Sequence, residues 1–194
     1  MIARTSGKIS SFFAVHGIIP EEDREVYAYS FEVLLSTAIS FLFLATGAII
    51  SQTVLYTASF LIGFIPLRRI AGGYHAKNHI RCFLILTFTY AVFLTLIFSI
   101  PVGYLRLVII LCALLSAFLI FIIAPSEDSN NPLSKEKVIK LKKRCRITVI
   151  GFVLLVGLLD IILSLEYVAF SIVFGKFTVG VSLLANLIKR RAFK

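Results

Sequence analysis

Residues 33 to 67 carry no charged side chain. As one helix, these 35 residues would be roughly 52 Å long, against a hydrocarbon core of about 30 Å. One span is therefore too few. Two fit tightly, with Ser51-Gln52-Thr53 as the turn. The second, residues 54–67, is short and requires local thinning of the bilayer or snorkelling of Arg68 and Arg69. A soluble domain of 194 residues has too little interior to hide a sequence that is 59% hydrophobic. With a mean hydropathy of +0.97, the chain reads as an all-α polytopic membrane protein.

Further apolar runs predict spans at Phe83–Ile100, Leu107–Ala124, Ile147–Leu165 and Val168–Ile188, about six in all. Pro101-Val102-Gly103 reads as a turn, and residues 125–146 as a basic polar loop. The whole of 1–194 is one membrane domain. Residues 1–32 lack the apolar core of a signal peptide. They predict an amphipathic interfacial helix with Ile9, Phe12 and Phe13 toward lipid. Pro20-Glu21-Glu22-Asp23 then reads as a helix start, since Pro suits a first turn and acids complement its dipole.

The net charge is +10, but nucleic acid is not the expected partner. The Lys and Arg residues cluster in short segments flanking apolar runs, as topology signals do. Four regions contain all of them except Arg106 and Lys176: the N-terminus, residues 68–81, residues 125–146 and the C-terminus. The positive-inside rule places these four regions, and so both termini, in the cytoplasm. The clusters also suit anionic lipid or an acidic partner. Asp160 and Lys176 stand at matched depths in adjacent antiparallel spans, roughly 18–20 Å above the cytoplasmic end. They are expected to pair, because a lone charge there is costly.

Chemistry concentrates in residues 68–82, a polar island that holds Arg68, Arg69, Gly72, Gly73, His75, Lys77, His79, Arg81 and Cys82. Cysteine attacks as a thiolate, and cations and helix N-termini favour that form. Cys82 has Arg81 beside it and begins the third span, where the helix dipole is positive. Cys112 reads as a small buried residue and Cys145 as incidental. The three cysteines show no disulfide or CxxC spacing.

Two histidines compete to be the base. His79 would share a helix face with Cys82. His75 lies about 10.5 Å back along a straight helix, too far for contact. If His75 is the base, residues 72–81 cannot be one straight helix continuous with the third span. Gly72-Gly73 permits a bend. From residue types alone the HxxxHxxC spacing also admits a metal site, although the island has no Asp or Glu to complete it. A His/Cys metal-binding transporter and a non-catalytic membrane scaffold therefore stay open.

The string Arg68-Arg69 followed by Gly73, His75-Ala76 and Cys82 resembles the signature of the AgrB family, the accessory-gene-regulator membrane peptidases of Gram-positive quorum sensing. Length, six-span hydropathy and a basic loop before the fifth span are similar too. The resemblance implies a cysteine endopeptidase of the bacterial cell membrane, with His75 and Cys82 as the catalytic pair and no cofactor. Its substrate would be an AgrD-like precursor of a cyclic autoinducing peptide with an acidic tail. Arg68, Arg69 and Gly73 become candidates for oxyanion or substrate contacts. Lys135, Lys137 and Lys140 become candidates for docking the acidic tail. A second copy of the chain is a further candidate partner.

Overall fold

The computed structural model describes residues 2–73, 79–126, 134–162 and 164–192, with residues 79, 162 and 192 by backbone alone. Regular structure among them is entirely helical. The order is α1 (Ile2–Val15), α2 (Arg24–Ile50), α3 (Val54–Ala71), α4 (His79–Ser99), α5 (Val102–Ile123), α6 (Lys135–Gly157) and α7 (Glu166–Ala192). Among the described residues, five helices are long and apolar enough to cross a membrane: Glu21–Ile50, Val54–Ala71, Ile80–Ser99, Val102–Ile123 and Glu166–Arg191. The sixth long helix, α6, begins with a densely basic half. Its apolar half runs on into a π-helical turn, Leu158–Ile162.

The helix boundaries follow local chemistry. Pro20 precedes a 3₁₀ turn, Glu21–Asp23, that leads into α2. Pro101 ends one helix and starts the next at Val102, so Val102 and Gly103 are helical rather than a turn. The basic loop expected over 125–146 is helical from Lys135 onward. The Ser134 side chain caps this helix by accepting from the Lys137 N–H at 3.4 Å. Lys, Glu and Arg are good helix formers, so dense charge here does not mean loop.

The α1 helix lies against α2. It buries Ser6 and Ser10, with Phe12 exposed as expected of a lipid-facing side chain. Phe13 instead stacks on Phe31 of α2, with ring centroids 5.5 Å apart. Short serines allow the close approach, and a phenylalanine beside them is drawn into the contact.

The central element is α7: 67% of its most apolar window is buried, against 11–33% for the other four spans. Its broadest contacts are with α3 and α5. The backbones of α3 and α7 nearly touch where two glycines meet. A Cβ on Gly63 would overlap the Ile172 carbonyl oxygen, and one on Gly175 would overlap that of Phe60. Small residues permit this closeness, which drives helix association in lipid through packing. Around the crossing, Phe60, Phe93, Phe170 and Phe174 form the aromatic core, with Phe60 and Phe93 centroids 5.0 Å apart. Thr57 and Tyr90 hydrogen-bond at 2.9 Å and tie α3 to α4.

The expected Asp160–Lys176 pair does not form. Asp160 Oδ2 lies 3.7 Å from Arg106 Nε, and Arg106 Nη2 lies 3.8 Å from Glu166. Because α5 begins at Val102, Arg106 sits in its first turns at the same end of the bundle as the π turn. Lys176 Nζ is buried without a partner among the described residues. Asp160 thus lies level with Glu166 at the start of α7, whereas Lys176 is ten residues, roughly 15 Å, further along that helix, so the matched depth does not hold.

Candidate active site

The island begins where α3 stops. Ala71 ends the helix, and Gly72 and Gly73 follow with φ of 75° and 137°. Side-chain-bearing residues are strained at such angles, whereas glycine is not. Space excludes a side chain as well. A Cβ on Gly72 would lie 2.6 Å from the Ser126 carbonyl oxygen. One on Gly73 would overlap Arg68 Nη1 and lie 2.7 Å from Ser182 Oγ. Gly72 and Gly73 are thus not helical, and the path from Gly73 to His79, on which the expected bend falls, lies outside the described residues.

Arg68 occupies the space over Gly73. Its Nη1 donates to the Gly72 carbonyl and to Ser182 Oγ of α7, each at 2.9 Å. Across the island, the Arg68 guanidinium and Cys82 interact electrostatically. Cys82 stands in the first turn of α4, at the positive end of that helix, and is exposed. The other two cysteines differ in setting. Cys112 is half-buried on α5, and Cys145 is 1% exposed inside α6. Arg69 and Arg81 are exposed beside the island.

A second strand of contacts joins the island to the segment leading to α6. The Ser126 N–H donates to the Ala71 carbonyl at 2.9 Å. Asn186 Nδ2 of α7 donates to Ser126 Oγ at 2.7 Å. The heads of the island and of the basic segment are thus stitched to each other and to α7. Lys135, Lys137 and Lys140 are exposed on the first turns of α6. Arg146 lies over the Phe121 ring, 5.6 Å from its centroid.

The structure therefore brings together Arg68, Gly73 and Cys82 among the residues singled out by sequence. His75 lies outside the described residues, as does the His79 side chain. Ser126, Ser182 and Asn186 were missed. Their sequence signal is faint: two polar residues four apart among the apolar residues of the second half of α7, and one serine after Pro125.

These features define a class, the all-α polytopic membrane proteins that present a thiol at one end of a helix bundle. Within it, the chain belongs to the AgrB family: the family model for Accessory gene regulator B matches residues 6–184, nearly the whole chain. Its role therefore lies in quorum-sensing peptide processing, with a peptide precursor as substrate. Comparison with curated proteins and with solved structures found no match.

Proposed function

We propose that this chain is a membrane cysteine endopeptidase that cleaves the C-terminal part of its precursor and enables cyclisation of the rest. One observation carries the reading. Of three cysteines, Cys82 alone is exposed, at a helix N-terminus beside Arg68, in the segment that bears the family's motif.

In this mechanism His75 takes the Cys82 proton, or holds it as an ion pair, and Sγ attacks a peptide carbonyl. The carbon–nitrogen bond breaks, and the leaving amine takes the proton from His75. The remaining peptide stays on Cys82 as a thioester. A thiol or hydroxyl inside that peptide then attacks the same carbonyl and expels the Cys82 thiolate, which recovers the proton. The product is a thiolactone or lactone still joined to its leader. Limiting water at a membrane site favours the ring over hydrolysis. Tethering supplies high effective concentration. Backbone N–H groups of the first turn of α4, with Arg68 and Arg69, are the oxyanion donors proposed here.

The basic turns of α6, including Lys135, Lys137 and Lys140, dock an acidic precursor tail and contact anionic lipid. Both termini and the site face the cytoplasm on the positive-inside rule. The test is co-expression with a candidate precursor. Cys82→Ala and His75→Ala should abolish processing, while Cys112→Ala and Cys145→Ala retain it. Continued processing by both of the first two variants overturns the assignment.

A further inference from the structure

Nothing in the family signature lies on α7, yet α7 holds both threads that fix the start of the island. Ser182 and Asn186 are four residues apart, so they share one face and stand one turn from each other. Ser182 accepts from Arg68 Nη1, and Asn186 donates to Ser126 Oγ. Each polar group reaches the island through a different intermediary. Arg68 crosses Gly73 and reaches the Cys82 thiol electrostatically. Ser126 binds the Ala71 carbonyl and fills the space beside Gly72.

We infer that Ser182 and Asn186 are positioning residues that register the start of the catalytic island against α7, Ser182 by holding the Arg68 guanidinium over Gly73 and Asn186 by holding Ser126 against the Gly72 backbone. The inference rests on the reading of Cys82 as the activated nucleophile.

The physical case is one of restraint. A long arginine side chain has many rotamers to lose when it is held in one place. A guanidinium left free beside glycine would swing over several positions. Two acceptors at 2.9 Å, one on the island backbone and one on α7, remove that freedom. Asn186 is nearly buried, at 8% exposure. A buried amide needs partners, and this one spends a donor on Ser126 at 2.7 Å. Gly72 and Gly73 lie outside the α3 helix, so their placement depends on such cross-links. α7 is the fitting anchor, because it is the most deeply packed helix of the bundle.

The test uses the full chain in membrane vesicles, with Cys112→Ala and Cys145→Ala so that Cys82 is the only thiol. The readout is the rate of Cys82 alkylation by N-ethylmaleimide at a fixed pH. A purely structural role in holding helices together would lower thermal stability without changing this rate. Ser182→Ala and Asn186→Ala should each change the rate of Cys82 alkylation at a fixed pH severalfold relative to the parent. Ser182→Thr keeps a hydroxyl and should retain the parent rate. Ser126→Ala removes one hydroxyl outside the helices, so it keeps the test open if a helix variant fails to fold, and it should change the rate as Asn186→Ala does. Alanine variants that alkylate as the parent does overturn the inference alone. A Cys82→Ala chain that still processes the precursor overturns the nucleophile reading and the inference with it.

Discussion

Replacing Gly175 by alanine adds one methyl group where α7 meets α3, and the structure gives it no room. The new Cβ would overlap the Phe60 carbonyl oxygen and lie 3.0 Å from Phe64 N. From the other side, Gly63→Ala would overlap the Ile172 carbonyl oxygen and lie 2.9 Å from its carbon. All of these atoms are backbone, so no side chain can swing away. Ordinary contact at about 3.5–4.0 Å requires the overlapping atoms to move apart by roughly 1.5 Å, shared between helix separation and local adjustment. Even a gap of about 1 Å forfeits about half of each contact across the crossing. Overpacking costs about 1–3 kcal/mol, and a backbone-on-backbone clash belongs at the upper end. At about 2–4 °C per kcal/mol, each variant should melt about 6–12 °C below the parent. The assay is circular dichroism at 222 nm during heating in detergent, since the chain has no tryptophan to report. Gly151→Ala is the control. Nothing lies within 4 Å of its Cβ, and the helix gains about 0.5–1 kcal/mol from the better helix former. If Gly175→Ala and Gly63→Ala melt with the parent while Gly151→Ala rises, backbone contact does not hold α3 to α7.

Lys176→Met should raise thermal stability by about 1–3 kcal/mol, because a 1% exposed ammonium without a described partner is exchanged for an apolar chain of similar length; a destabilised variant would point to a hidden partner. A double-mutant cycle on Arg106 and Asp160 should give a coupling below about 1 kcal/mol, since the arginine side chain is 58% exposed. The same cycle on Asp160 and Lys176 should give none. Brief maleimide treatment followed by mass spectrometry should label Cys82 first and leave Cys145 unmodified until the protein unfolds, as their exposure dictates. Charge reversal at Lys135, Lys137 and Lys140 should reduce processing of an acid-tailed precursor while membrane orientation holds; unchanged processing removes α6 as the dock.

The sequence disclosed what depends on neighbours along the chain. Uncharged runs between turn residues marked α2 through α5 and α7, because lipid demands length and apolarity of each helix separately. The island was legible for the same reason: arginines, glycines, a histidine and a cysteine lie within one short stretch. The start of α6 was hidden because its apolar periodicity is diluted by lysines that lie exposed, and the only marker is Ser134. The expected pairing of Asp160 fails because depth was counted from the ends of the apolar runs, whereas α6 starts at Lys135 and α7 runs on to Ala192. Lys176 lies ten residues into α7, while Asp160 sits on a π turn that meets Arg106. Ser126, Ser182 and Asn186 were hidden for a different reason. Serine and asparagine carry little chemistry of their own, and they acquire meaning only from atoms brought in from distant parts of the chain.

The two properties of α7, a glycine-fitted middle and polar last turns, have a joint consequence. Gly175 lies two turns before Ser182 on the same helix. A displacement of about 1 Å between α3 and α7 would lengthen the 2.9 Å Arg68–Ser182 bond beyond hydrogen-bond range. Gly175→Ala should therefore act twice, lowering stability and moving the Cys82 alkylation rate toward that of Ser182→Ala. Gly180→Ala lies nearer to Ser182 in sequence, but its Cβ meets only the Leu119 side chain, at 3.3 Å, and the Ser116 backbone, at 3.5 Å. It faces α5 rather than α3 and should leave the rate unchanged. If Gly175→Ala destabilises the bundle and Cys82 is still alkylated as in the parent, the island is registered by contacts other than α7. If Gly180→Ala moves the rate as far, proximity along the helix rather than the α3 crossing controls the site.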